Sequence, residues 1–259
     1  MGKVDNISKF WWLKQYIEAK GYNVGHSLFS IGHFLWLFFI VVGIVFFIKF
    51  YNSVNNKEKQ ECKRFLALAI FILEYVKTII VGFIYPEYIN MYLPLHLCSF
   101  AGMCIIFEAC FGSRKIIDQM WLYVFLPASL LGILSPSVSV PFLNFFTFHT
   151  YLYHGILLLF SMIKICSDKV QASYSGLLKS SLVVLIIGIP VYFLNGLFGT
   201  NYFIISDASD FPAAQIFWNA VVPKFGEFGY ALGMYIFAFF IFNLIYLIII
   251  TVEHLKKKK

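Results

Sequence analysis

The sequence predicts an all-α integral membrane protein, a polytopic bundle of about seven transmembrane helices, on three observations. Of 259 residues, 60% are hydrophobic and only 13% charged, with a mean hydropathy of +0.79, a balance that excludes an ordinary soluble domain. Phenylalanine dominates the aromatics, 31 residues beside 16 tyrosines and 5 tryptophans, which suits helices that turn most of their surface to acyl chains. Apolar runs of roughly 17 to 25 residues, the length that crosses a bilayer, recur along the chain.

In order, the runs are 28 to 50, 65 to 84, 93 to 111, 120 to 135, 149 to 166, 179 to 198 and 228 to 252, separated by charge clusters or Pro/Gly/Asn-rich breaks. The first lacks a small-residue cleavage signature and reads as a retained span instead of a removed signal peptide. The fourth is the weakest, because Pro127 interrupts it and Ser135-Pro136 ends it early. A broken helix is acceptable there if its neighbours satisfy the freed backbone groups. The chain shows no internal repeat and no connection large enough for a soluble domain. It therefore reads as one membrane domain: an interfacial segment over 1 to 27, a bundle over 28 to 252 and a basic tail over 253 to 259.

Cytoplasmic connections carry the excess of lysine and arginine, which fixes an expected orientation. Connections after the first, third and fifth spans, with the adjoining span edges, hold Lys49, Lys57, Lys59, Lys63, Arg64, Arg114, Lys115, Lys164, Lys169 and Lys179, and the tail adds Lys256 to Lys259. The alternate connections carry Lys224 as their single positive residue, beside Glu87, Asp207, Asp210 and Glu227. The N-terminus is thus expected outside and the C-terminus inside. Lys3, Lys9, Lys14 and Lys20 oppose this, but Phe10-Trp11-Trp12-Leu13 with Tyr16 and Ile17 reads as an amphipathic helix lying at the interface, where lysine and tryptophan are both comfortable. The terminal lysine run suits an anionic inner leaflet, and no nucleic-acid partner is expected.

Ionisable side chains inside the apolar runs are expensive and mark candidate sites. Glu74 and Lys77 lie at and beyond the middle of the second span, His96 and Cys98 open the third, His149 and His154 open the fifth, and Asn195 closes the sixth with Asn201 just outside it. With the alternating topology, all of them converge on the outer half of the bundle. Glu74 and Lys77 are three apart on a helix, close enough to neutralise one another, and Thr78 shares their face. That pair is either internal glue, or Glu74 orients a histidine of another span or carries a proton.

Pro94 fits the first turn of a helix, which would put Cys98 near the positive helix end that favours a thiolate. His96 is two residues away, about 200° around a helix, so the base for Cys98 should come from another span. His149 and His154, about 140° apart, are the candidates, and one of them is expected to face the cysteine. A Cys/His pair supports nucleophilic acyl transfer, the histidine taking the thiol proton and the thiolate attacking an ester carbonyl. Cys98 is equally suited to serve as a small buried hydrophobe. Cys62, Cys98, Cys104, Cys110 and Cys166 show neither CxxC nor even pairing, so no disulfide framework is indicated. Three histidines with Glu74 lack HExxH-type spacing, and neither a metal nor another cofactor is expected. Gly196, Gly199 and Asn201 could shape a turn that presents backbone donors to an oxyanion.

Leu93-Pro94-Leu95-His96-Leu97-Cys98, Phe148-His149 followed by His154-Gly155, and Asn195 with Gly199-Thr200-Asn201-Tyr202 resemble the YwaF family of bacterial membrane proteins, which is related to a eukaryotic transmembrane phospholipid acyltransferase. The resemblance implies a multi-helix enzyme of the cell membrane in which a cysteine carries an acyl group between phospholipids. By position it makes Cys98 the nucleophile and His154 its base, with Glu74, His96, His149, Asn195 and Asn201 supporting them. Two other functions compete: an ion-coupled transporter whose path Glu74, Lys77 and the histidines line, and a non-enzymatic assembly factor in which the same cluster is structural glue.

Overall fold

A computed structural model of the chain describes residues 29–135, 144–208 and 212–257. The interfacial segment expected over 1 to 27 lies outside them. Among the described residues every regular element is helical. Helix α1 spans Ile31–Ser53, α2 Asn56–Ile84, α3 Leu97–Phe111, α4 Lys115–Met120, α5 Leu126–Leu134, α6 Phe145–Met162, α7 Tyr174–Phe198 and α8 Pro212–Lys257. A 3-10 helix, Pro86–Tyr92, precedes α3, and π-helical turns at Trp121–Phe125 and Ile163–Ser167 join α4 to α5 and extend α6.

Six of these helical stretches are long and apolar enough to cross a membrane, with α4 to α5 counting as one, and the 3-10 helix and α3, bent by 67°, make up to seven. The protein is therefore a multi-pass membrane protein. Helix α3 alone has 15 residues, about 22 Å of rise against a hydrocarbon core of about 30 Å, so it needs the segment before it to complete a crossing.

Helices α2, α6 and α7 begin earlier than their apolar runs because polar caps hold them, whereas α1 and α3 begin later. Helix α2 starts nine positions before its run: Asn55 Oδ1 accepts from the amides of Lys57 and Glu58 at 3.0 Å each, and Glu58 Oε2 accepts from the Asn55 amide at 2.9 Å. This reciprocal capping box satisfies donors that would otherwise be orphaned. Asn144 caps α6 by accepting from the Phe146 amide and Ser173 caps α7 by accepting from the Gly176 amide, each without a reciprocal bond. Pro127 does not end the fourth span, because the π-helical turn immediately before it absorbs the register change that a missing amide donor imposes.

Helix α8 is two arms. Gly226, with φ of 68° and ψ of −176°, breaks it, a conformation open to glycine. The first arm folds back along the second: the Trp218 and Tyr230 rings lie 4.8 Å apart, and a Cβ added at Gly233 would sit 2.8 Å from Phe217 Cε1. The expected 228 to 252 span corresponds to the second arm.

The core lies between α2, α3, the Trp121–Phe125 turn and α6, where Ile70, Ile105, Trp121, Tyr123, Phe125 and Phe160 are fully buried. It separates two polar regions at opposite ends of the bundle. One contains Cys98 and the other Lys164.

Candidate functional site

The start of α3 determines how the Cys98 end is built. Leu93 is extended, with φ of −60° and ψ of 150°, as steric conflict with the following proline ring requires. The Leu95 amide then donates to the Leu93 carbonyl at 2.7 Å, a turn too tight to continue as helix. Pro94 is consequently outside the helix and not in its first turn, a correction to the expected start. His96 becomes the N-cap residue, and Leu97 begins the helix.

That unwinding leaves His96 outside the helix that carries Cys98. Its Nε2 donates to the Met91 carbonyl at 3.1 Å, and its ring meets the edge of the Tyr202 ring at 4.8 Å. Cys98 occupies the first turn of α3, where the helix leaves backbone N–H groups without carbonyls of a preceding turn. These are donors at the positive end of a helix. Among the described residues the sulfur has no side-chain hydrogen-bond partner, so no described histidine is hydrogen-bonded to it.

Helices α2 and α6 supply the rest. Glu74 Oε1 accepts from Lys77 Nζ at 2.8 Å and from Ser99 Oγ at 3.2 Å, while Glu74 Oε2 is buried without a partner. The ion pair expected from the three-residue spacing is therefore present, and Thr78 Oγ1 donates to the Glu74 carbonyl at 2.9 Å. The Tyr153 hydroxyl lies 3.5 Å from the Cys98 carbonyl oxygen and within reach of Glu74 and Ser99. It occupies space that a Cβ at position 102 would fill, so Gly102 is what admits it.

The two α6 histidines take different places. His149 is buried and stacks on Tyr153 at 5.4 Å, and its Nε2 has no hydrogen-bond partner among the described residues. His154 Nδ1 lies 2.8 Å from the Thr150 carbonyl. A carbonyl only accepts, so Nδ1 carries the proton and Nε2 presents its lone pair. No described residue hydrogen-bonds that Nε2. Its ring packs on Gly132 of α5, where an added Cβ would lie 2.5 Å from Nε2.

Lys77 and Glu74 act electrostatically on Cys98, His96 and His154, and Lys77 also acts on His149. Cys98, His154, Glu74 and His96, all half-buried, and the buried His149 thus share one cluster drawn from α2, α3 and α6. Asn195 and Asn201 do not enter it. Asn195 Oδ1 accepts from Tyr202 N at 2.8 Å and Thr200 Oγ1 at 3.0 Å, and its Nδ2 donates to the Tyr202 carbonyl at 3.0 Å. Asn201 binds the 206–207 backbone and donates to Asp207 Oδ1 at 2.7 Å. The two asparagines hold the turn that seats Tyr202 against His96, and the amides of Thr200 and Tyr202 are already engaged by Asn195. Tyr202 lies outside the spans, is fully enclosed and donates to the Asn90 carbonyl; burial holds its phenol above the ordinary value.

At the far end, sequence reasoning missed a second cluster. Lys63 Nζ donates to Glu108 Oε1 at 3.1 Å and Asp168 Oδ2 at 2.9 Å, and Lys164 Nζ donates to Glu108 Oε1 and, at 2.8 Å, to Asp118 Oδ1. The positive residues read as markers of orientation, yet a lone Glu108 in an apolar run was itself a signal that a buried cation must answer it.

The fold and this enclosed set of ionisable side chains define a polytopic helical membrane protein with a polar intramembrane site. The TMEM164 family profile matches residues 28–252, and the chain belongs to that family. No curated protein and no solved structure matches the chain.

Proposed function

We propose that the protein is a membrane-embedded lipid acyltransferase or acyl-lipid hydrolase of the cell membrane, with Cys98 as nucleophile and His154 as general base. The observation that carries this reading is the tautomer of His154. Its proton is fixed on Nδ1 by the Thr150 carbonyl, which leaves Nε2 as an unengaged base in the same enclosed cluster as a thiol at a helix N-terminus. The resemblance to the YwaF family and its acyltransferase relative supports it.

In the reaction, Nε2 takes the thiol proton as the sulfur attacks an ester carbonyl carbon of a phospholipid. The lysolipid oxygen leaves with that proton, and the acyl group remains on Cys98 as a thioester. A second lipid hydroxyl or water then attacks the thioester and its proton passes to His154. Contact between Cys98 and Nε2 forms when substrate closes the site, since catalytic hydrogen bonds tighten in the bound complex.

Purified protein incubated with acyl-labelled phospholipid should acquire a hydroxylamine-sensitive adduct that is lost in Cys98→Ala and diminished in His154→Ala. An adduct undiminished in Cys98→Ala refutes the assignment.

The Lys164 cluster favours a second reading, ion-coupled transport, which requires polar groups in both halves of the bundle. Between the clusters, however, Ile70, Ala101, Ile105, Ile156, Leu157 and Phe160 form a continuous apolar barrier, and the barrier is why chemistry at one end is preferred. Proteoliposome uptake that is pH-dependent and abolished by Glu74→Gln would reverse the order.

A further inference from the structure

The Lys164 end contains a cavity of about 580 Å3, whose lining includes Asp118, Asp168, Lys115, Lys179, Gln119 and Ser175. That volume falls within the roughly 300 to 1,000 Å3 of small-molecule sites. Asp118 and Asp168 connect it to the buried charge cluster beneath. There Glu108, Asp118 and Asp168 face the ammonium groups of Lys63 and Lys164, three negative charges against two positive, and Glu108 Oε2 is buried with no partner. The cluster is thus one positive charge short, and Asp118 and Asp168 are the two of its carboxylates that reach the cavity. Lys115 and Lys179 have no ion-pair or hydrogen-bond partner among the described residues, so they offer the cavity unspent positive charge.

The walls are fixed. Gln119 Nε2 donates to the Gln171 carbonyl at 2.8 Å and its Oε1 accepts from Ser173 N and Oγ at 3.2 Å each, while Gly176 lies so close to Gln119 that an added Cβ would collide with the amide. Ser173 Oγ already accepts from the Gly176 amide, so side chains of the cavity, and not the end of α7, would do the recognising.

The surface beside the cavity indicates what enters it. Ser175 and Lys179 share a face of α7 with Leu178, Leu182, Ile186 and Ile189, all exposed, which form an apolar stripe running from the cavity along the membrane-crossing part of the helix. We propose that the cavity binds the headgroup of a zwitterionic phospholipid. Its ammonium lies at Asp118 and Asp168, its phosphate lies at Lys115 and Lys179, and an acyl chain follows the α7 stripe. This site is at the opposite end of the bundle from Cys98 and does not rest on the acyl-transfer reading.

The test uses detergent-purified full-length protein, delipidated and supplied with phosphatidylcholine, phosphatidylethanolamine or phosphatidylglycerol, with retained lipid counted by native mass spectrometry. One zwitterionic lipid per chain should remain, and phosphatidylglycerol, which lacks the ammonium, should be held about tenfold more weakly. Lys115→Glu with Lys179→Glu, and separately Ser175→Trp to fill the cavity, should each release the bound lipid while the melting temperature of the lipid-free protein stays within its error. Equal retention of phosphatidylglycerol, or retention by both variants, overturns the proposal. So does glycerophosphocholine displacing the lipid at equal concentration, because that would assign a soluble ligand and give the apolar stripe no role.

Discussion

Gly132 is the residue on which the position of His154 depends. The imidazole packs so closely on its backbone that any side chain there must displace the ring. Substituting Gly132→Ala is therefore expected to lower stability by about 1–3 kcal/mol through overpacking. If His154 is the base, the larger effect falls on chemistry, since misplacing a reacting group by 1 Å costs on the order of a hundredfold in rate. The measurement is adduct formation beside the thermal midpoint in detergent: adduct formation that falls no further than the stability loss explains would remove His154 from the reaction. Much of this site was legible at the level of spacing. Glu74 and Lys77 pair as a three-residue separation on a helix requires, whereas the angular argument that separated His96 from Cys98 assumed one continuous helix, and His96 lies outside it as the N-cap residue, bound to the Met91 carbonyl. What was not legible is the unwound turn at Pro94, which depends on the extended Leu93 and the Leu95-to-Leu93 bond. Nor could the sequence show that Asn195 and Asn201 serve the Tyr202 turn, because their partners are set by how the loop closes.

Elements were legible where burial in lipid alone decides them and illegible where a specific partner does. Each long apolar run became a helix, but the starts of α2, α6 and α7 moved outward to caps such as Asn55 with Glu58, whose signature lay in a charged stretch that hydropathy ignores. The larger omission is the knot that binds α2, α3, α4 and the end of α6. Glu108 and Lys164 are 56 positions apart, and no local pattern couples them. Removing a cation should be costly, because three carboxylates already face only two ammonium groups: Lys164→Met is expected to destabilise by roughly 3–5 kcal/mol. Adding Glu108→Leu to that variant should recover part of the loss, since apolar replacement of both partners is often near neutral. Thermal midpoints of the two single variants and the double variant, compared as a cycle, check this. Simple additivity of the two losses would show that the pair is not coupled and that the helices are held by apolar packing alone.

At the scale of the whole molecule, the sorting of charge between the two ends carries a topological consequence. The chain crosses in alternation from the end bearing Cys98 to the end bearing Lys164 and back, and its last helix finishes at the Lys164 end. That end holds Lys63, Arg64, Arg114, Lys115, Lys164, Lys169 and Lys179, whereas Lys224 is the positive residue in the connections at the other. Positive residues in short connections are retained in the cytoplasm, so the Lys164 end and the C-terminus are expected inside and the Cys98 cluster toward the outer leaflet. The lysines before residue 21 pull the other way, and they are the reason a direct test matters. Green fluorescent protein fused after Lys259 should fluoresce, and alkaline phosphatase fused at the same point should be inactive, while phosphatase inserted in the 205–211 connection should be active. Active phosphatase at the C-terminus would invert the molecule. The Cys98 site would then draw its lipid from the inner leaflet and the Lys115 cavity from the outer, so a single topology measurement decides which monolayer each of the two proposed sites can sample.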